Sequence, residues 1–91
     1  MRDGQAVVGR DMAEQTQFCL QNIKGILEAA GSSLEKVVRC TVFVTDMSQF
    51  AAMNDAYRSY FPNDPPARAT LQVAGLARAG LVVEIEATSL A

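Results

Sequence analysis

Between Leu20 and Thr45 the apolar residues change period once, from helical to extended, and that switch constrains the fold more than any other feature of the chain. Leu20, Ile23, Ile26, Leu27 and Ala30 recur at spacings of three and four, which is one stripe along a helix. From Val37 to Thr45 the residues are mostly β-branched and the spacing becomes two. Val38, Cys40, Val42 and Val44 then share one face of a half-buried strand, and Arg39, Thr41, Phe43 and Thr45 share the other.

The ends of these elements carry their own signals. Asp11 can cap the first helix, with Glu14 three residues on to complete a capping box, and Gly31 stands where a glycine ends a helix. The predicted helix spans 12–30. Ser32-Ser33-Leu34-Glu35 reads as a capped single turn. Asp46 and Gln49 make a second capping box ahead of a stripe of Phe50, Met53, Tyr57 and Tyr60-Phe61, which predicts a helix over 48–61. Pro62-Asn63-Asp64-Pro65-Pro66 breaks the chain. Two strands are expected after it, over 69–74 and 81–88, with Gly75 and Gly80 bracketing their connection. In the second of these, Leu81, Val83, Ile85 and Ala87 face one way, and Val82, Glu84, Glu86 and Thr88 the other. A short strand over 5–9 would precede everything.

The expected order is β-α-β-α-β-β, an α+β domain in which two amphipathic helices cover one face of a small sheet. The other sheet face would carry Arg39, Thr41, Phe43, Glu84 and Glu86. It is too mixed for a core and too apolar in places for plain solvent, so a subunit interface suits it. Size points the same way. A chain of 91 residues is one domain, residues 1–91, and buries roughly 60–65% of its unfolded surface. Since 49% of its residues are apolar, some apolar surface must stay exposed or meet another subunit, which favours a homo-oligomer.

Charge and composition exclude several classes. The net charge is −2, and the 8 basic residues are scattered without a stripe to follow a phosphate backbone, so nucleic-acid binding has little support. No apolar run reaches the ~20 residues of a membrane span. Met1–Gly9 shows no signal-peptide pattern. Cys19 and Cys40 match no metal-ligand spacing and read as buried free thiols in a reducing, cytoplasmic setting. Histidine is absent, which excludes Ser-His and Cys-His catalysis and most zinc chemistry.

Four polar residues are candidates for chemistry. Arg68 follows Pro65-Pro66-Ala67, a stiff stem that limits the entropy lost on binding, and its planar fork matches a carboxylate. It reads either as a clamp for a small carboxylate or as an ordinary loop arginine in a surface ion pair. Glu84 could activate a water as general base if burial raised its pKa, or belong to a solvated strand face with Glu86. Asn54 interrupts the second helical stripe and could donate to a ligand or merely be exposed. Thr70 offers a hydroxyl near Arg68.

The run Pro65-Pro66-Ala67-Arg68-Ala69-Thr70-Leu71-Gln72-Val73-Ala74-Gly75-Leu76 resembles the signature of the Rid (YjgF-type) family, and Val83-Glu84-Ile85-Glu86-Ala87 is similar to its closing strand. Leu27-Glu28-Ala29-Ala30-Gly31-Ser32-Ser33-Leu34, Thr41-Val42-Phe43-Val44-Thr45-Asp46-Met47 and Phe50-Ala51-Ala52-Met53-Asn54-Asp55-Ala56-Tyr57 resemble the family as well. The resemblance implies a chorismate-mutase-like fold and a homotrimer with ligand clefts between subunits. It implies hydrolysis of enamines and imines such as 2-aminoacrylate to a 2-keto acid and ammonia, without metal or organic cofactor. By the same resemblance Arg68 holds the substrate carboxylate, Glu84 positions the attacking water, and Asn54 and Thr70 line the pocket. Two alternatives stand beside the enzyme: a trimer that binds 2-keto acids without turnover, and an inactive fragment. The chain departs from the family in lacking the usual N-terminal hairpin, which leads to the expectation of an N-terminally shortened domain, and Ala77 stands where a proline is common.

Overall fold

The structure is a computed structural model that describes residues 10–90; the predicted strand over 5–9 lies outside the described residues. Helix α1 spans Met12–Ala29, strand β1 Val37–Val44, helix α2 Phe50–Tyr60, strand β2 Ala67–Gln72 and strand β3 Val83–Ser89. Short 3-10 turns at Leu34–Lys36 and Met47–Gln49 lead into β1 and α2. The sheet order is β2-β1-β3, with β1 parallel to β2 and antiparallel to β3. The helices pack against each other and on one face of this mixed sheet, the expected α+β layering.

The core is the meeting of the stripe on each helix with the inner face of the sheet. Met12 and Leu20 from α1, Met53 and Tyr57 from α2, Phe61, and Cys40, Val42, Val44 and Val83 from the strands form one buried cluster. Each large apolar side chain buried there contributes about 1.5–3 kcal/mol. The inward face of β1 begins differently from the expectation. The β1–β3 register shifts between Val37 and Arg39, so Val38 is the extra residue of a bulge. Val37 therefore turns inward at 7% exposure while Val38 stays 44% exposed. Beyond the bulge the two-residue alternation resumes as predicted.

The stripe of α1 also runs beyond what the other described residues cover. Leu20 is fully buried, Ile23 and Leu27 are half-buried, and Ile26 is 59% exposed. Together with Phe18, Cys19, Ile23, Leu81 and Ile85, Ile26 lines an open groove of about 440 Å³ between α1 and β3. Among the described residues, Val38, Leu71 and Leu90 are the other large apolar side chains left exposed.

Caps follow the sequence in outline and differ in detail. Asp11 caps α1 by accepting from the Glu14 backbone N–H at 2.8 Å, but the Glu14 carboxylate reaches the Arg10 guanidinium at 3.4 Å. Gly31 takes the left-handed conformation, φ +82°, as the first residue beyond the C-cap Ala30. Asp46 accepts from both the backbone N–H and the hydroxyl of Ser48, so the second box is replaced by a tight turn that delays α2 to Phe50. The last two strands begin at Ala67 and Val83, two residues before and two after the expected starts.

Gln15, which carries no signal in the apolar pattern, holds the β2–β3 connection in place. It is 1% exposed. Its side-chain amide donates to the Arg10 and Gly80 carbonyls at 3.0 and 2.9 Å, and its oxygen accepts from the Val82 N–H at 2.8 Å. Gly80 sits at φ +89°, a conformation open to glycine at little cost. Gln15→Leu keeps the volume and orphans these backbone groups. At ~1–3 kcal/mol for each buried group left unpaired, and with the loop partly exposed, the expected loss of stability is roughly 2–4 kcal/mol. A urea midpoint within error of the parent would sink that account.

Candidate functional site

The register decides what each sequence candidate faces. Arg68 pairs with Cys40, Thr70 with Val42 and Gln72 with Val44, so these three side chains of β2 lie on the helix-covered face. Glu84 pairs with Phe43 and Glu86 with Thr41, on the opposite, uncovered face, where Arg39 also lies. The composition expected for the uncovered face is thus present: Arg39, Thr41, Phe43, Glu84 and Glu86. Thr41 is buried among its neighbours there, and both glutamates are exposed.

Arg68 is half-buried against α2. Its Nη1 donates to Asn54 Oδ1 at 2.6 Å. Its Cζ lies 4.8 Å from the Tyr57 ring centroid and 5.4 Å from that of Phe50. Phe50, Asn54 and Tyr57 occupy positions i, i+4 and i+7, one face of α2, which is why they reach the same guanidinium. Read from the sequence, Phe50 and Tyr57 were only core positions; the polar break at Asn54 between two aromatic residues of that face was the available signal. Among the described residues no carboxylate pairs with Arg68. The surface ion pair that the sequence left open for this arginine is therefore not formed among the described residues.

The fold brings Arg68 and Asn54 into contact and sets Thr70 on the same face two residues along β2, about 7 Å away along the strand. It does not bring Glu84 to them. Glu84 stands on the far face of the sheet, and β1 separates its strand from β2.

Both cysteines are free. Cys40 is buried beneath Arg68, and burial pushes its thiol up, opposed by the Tyr57 hydroxyl beside it and by the positive charge of Arg68. The Tyr57 hydroxyl is buried, and no hydrogen bond of ordinary geometry satisfies it. Burial raises its pKa too, with the Cys40 thiol as the next cause. Cys19, half-buried on α1, reaches the Val83 carbonyl at 3.9 Å. Burial, and then the Glu84 charge, push its thiol up to about 11. A group whose folded pKa is raised stabilises the fold below its unfolded value and loses that contribution as pH climbs through the folded value. Stability is therefore expected to fall between pH 9 and about 11, and Cys19→Ser to flatten that fall; a urea midpoint independent of pH over this window would contradict it. Among the described residues no group of three or more Cys, Asp or Glu is placed to hold a metal, and no helix is long and apolar enough to cross a membrane.

Comparison with known proteins places this geometry. A family model described as Endoribonuclease L-PSP matches residues 1–91. Protein DfrA of Myxococcus xanthus is 44% identical over 84 residues, 92% of this chain and 63% of its own length. A 2-iminobutanoate/2-iminopropanoate deaminase of Bos taurus is 45% identical over 87 residues, 96% of this chain and 62% of its own length. The crystal structure of the YjgF gene product of E. coli superposes with a TM-score of 0.84 at 38% identity, covering 89% of this chain and 65% of that one. The chain thus spans a little under two thirds of these relatives. Signature run, helix-on-sheet layering and structural neighbours agree, and the chain belongs to the Endoribonuclease L-PSP family, also known by its YjgF, RutC and Rid members.

Proposed function

We propose that the chain takes part in the hydrolysis of 2-imino acids and their enamine tautomers to 2-keto acids and ammonia. One observation carries the reading: a half-buried guanidinium, held by Asn54 and two aromatic rings, with no carboxylate of its own protomer among the described residues. A cation in that state is a seat for a small carboxylate, because the ordering cost is already met by the fold and the fork can bind both oxygens. The name of the Bos taurus relative supports the substrate class.

The chemistry asks little of the protein. The imine carbon is already electrophilic; water adds to it, the nitrogen takes up protons, and ammonia leaves a carbonyl behind. Holding the carboxylate and orienting one water are sufficient tasks, and neither calls for histidine. Arg68 does the first, with Asn54 and Thr70 beside it. Glu84 does the second. Since Glu84 stands on the other face of its own sheet, the water-orienting carboxylate at a given Arg68 comes from a neighbouring copy. That requirement favours the homotrimer with clefts between subunits, and the uncovered face bearing Arg39, Phe43, Leu71 and Glu84 is the surface such an assembly would bury. Cleavage of RNA has less support, with a net charge of −2 and scattered basic residues.

The test is direct. 2-Aminoacrylate or 2-iminobutanoate is generated in situ, surviving imine is trapped, and the 91-residue chain is added. Disappearance faster than in buffer supports the reading. An unchanged rate with measurable 2-oxobutanoate binding would replace it by carboxylate binding without turnover, and sedimentation of the same sample reports whether three copies assemble.

A further inference from the structure

We infer that Phe50 and Tyr57 are positioning residues for Arg68: their ring faces set the guanidinium, and Phe50, at the partly exposed end of the pair, tunes how tightly the site holds a carboxylate. The inference rests on the reading of Arg68 as the carboxylate seat.

Arg68 needs such support because β2, among the described residues, is an edge strand paired on one side only. A long flexible side chain there would sample many rotamers and lose them on binding. The structure removes that freedom with three contacts. Asn54 Oδ1 takes one edge through Nη1, and Cζ lies over the Tyr57 and Phe50 rings at 4.8 and 5.4 Å, within the ~6 Å over which a ring quadrupole attracts a cation. With Asn54 Oδ1 committed to Nη1, a ligand has the remaining N–H donors to meet.

The rings are themselves held in place. Tyr57 is 2% exposed and packs on Phe61 at 5.0 Å between ring centroids. Phe50 opens α2 directly after the Met47–Gln49 turn. That turn is tied to the far end of β2, where Gln72 Oε1 accepts from the Met47 N–H at 2.7 Å, and Asp46 holds Ser48. β2 is thereby joined to the turn at Gln72–Met47 and to α2 at Arg68–Asn54, ties four residues apart on the strand and seven apart on the turn and helix, so the place of Phe50 relative to Arg68 is set by hydrogen bonds and not by its own packing alone.

The experiment uses the full chain, with Phe50→Leu to keep an apolar side chain without a π face and Phe50→Trp to enlarge that face. Two readouts are taken: the 2-oxobutanoate dissociation constant, and the rate at which phenylglyoxal modifies Arg68, followed by peptide mass spectrometry. Phe50→Leu is expected to weaken binding by about 5- to 10-fold and to make Arg68 react several-fold faster, whereas Phe50→Trp is expected to bind more tightly than the parent and to slow the modification of Arg68. Wild-type values for both readouts in Phe50→Leu overturn the inference. If Phe50→Leu binds normally while Arg68→Ala does not, the inference falls and the carboxylate seat stands. If Arg68→Ala itself binds normally, the seat falls, and the phenylglyoxal rates still decide whether the rings hold the guanidinium. Should Phe50→Leu fail to fold, Phe50→Trp decides alone: slower modification and tighter binding uphold the inference, and no change in either overturns it.

Discussion

Arg68→Ala is expected to weaken binding of 2-oxobutanoate by about 10- to 150-fold, the equivalent of ~1.5–3 kcal/mol for hydrogen bonds to a charged group. The keto acid is the stable product of the proposed reaction, so it reports on the carboxylate seat without the complication of an imine that decays in water. The magnitude follows from the state of the guanidinium. It is half-buried and already ordered by Asn54, Phe50 and Tyr57, so most of its interaction with a ligand is realised as affinity. Arg68→Lys should recover only a minor part of the loss, since an ammonium keeps the charge and gives up the planar fork. Arg68→Ala also removes a charge that opposes the raised pKa of Cys40, but that thiol is buried and takes no part in the proposed reaction. Isothermal titration of the three proteins is the measurement. Equal affinity in parent and Arg68→Ala would remove the carboxylate seat.

Glu84→Gln is expected to act on the other half of the reaction. If the carboxylate orients and deprotonates the attacking water, its contribution appears in the transition state, and turnover should drop by ~10²–10⁴-fold while 2-oxobutanoate affinity changes far less. Glutamine has nearly the same shape and can still hold a water, but it cannot take a proton. Glu84 is exposed in the protomer and makes no contact with Arg68. Two damaged chains therefore provide a further check. A mixture of Arg68→Ala and Glu84→Gln subunits should regain part of the parent activity, because some boundaries would join an intact Arg68 to an intact Glu84 of the next copy. A variant that lost affinity alone, or a mixture with no recovery after subunit exchange, would contradict the shared site.

Much of the fold was legible in the residues because local signals and burial agreed. The switch of period between Leu27 and Val38, the cap at Asp11, the glycine at 31 and the proline run at 62–66 all name an element or its end in chemistry that acts within a few positions. The inward alternation of β1 and β3 was readable for the same reason, and it predicted the mixed face of Arg39, Thr41, Phe43, Glu84 and Glu86. Local reasoning went astray where a neighbour changed the geometry. The bulge at Val38 arises from pairing with β3, and a one-residue insertion reverses which side chain turns inward. Ile26 belongs to the stripe of α1 by spacing, yet the elements formed by the described residues leave it exposed. Gln15 looked like any polar helix residue because its partners, Gly80 and Val82, are more than sixty positions away.

For the candidate site the division is sharper. The sequence by itself determined the identities: an arginine on a proline-stiffened stem, a glutamate on the polar face of the last strand, an asparagine breaking an apolar helix stripe, and the run that marks the family. Only the tertiary structure decided which of them meet. Parallel pairing of β2 with β1 turns Arg68 toward α2 and its two rings, and antiparallel pairing of β3 turns Glu84 to the opposite side. The side of Glu84 was already legible in the alternation of β3, whereas the meeting of Arg68 with Asn54, Phe50 and Tyr57 follows from pairing and packing between residues far apart in the chain, of which the pattern along β2 carries no record.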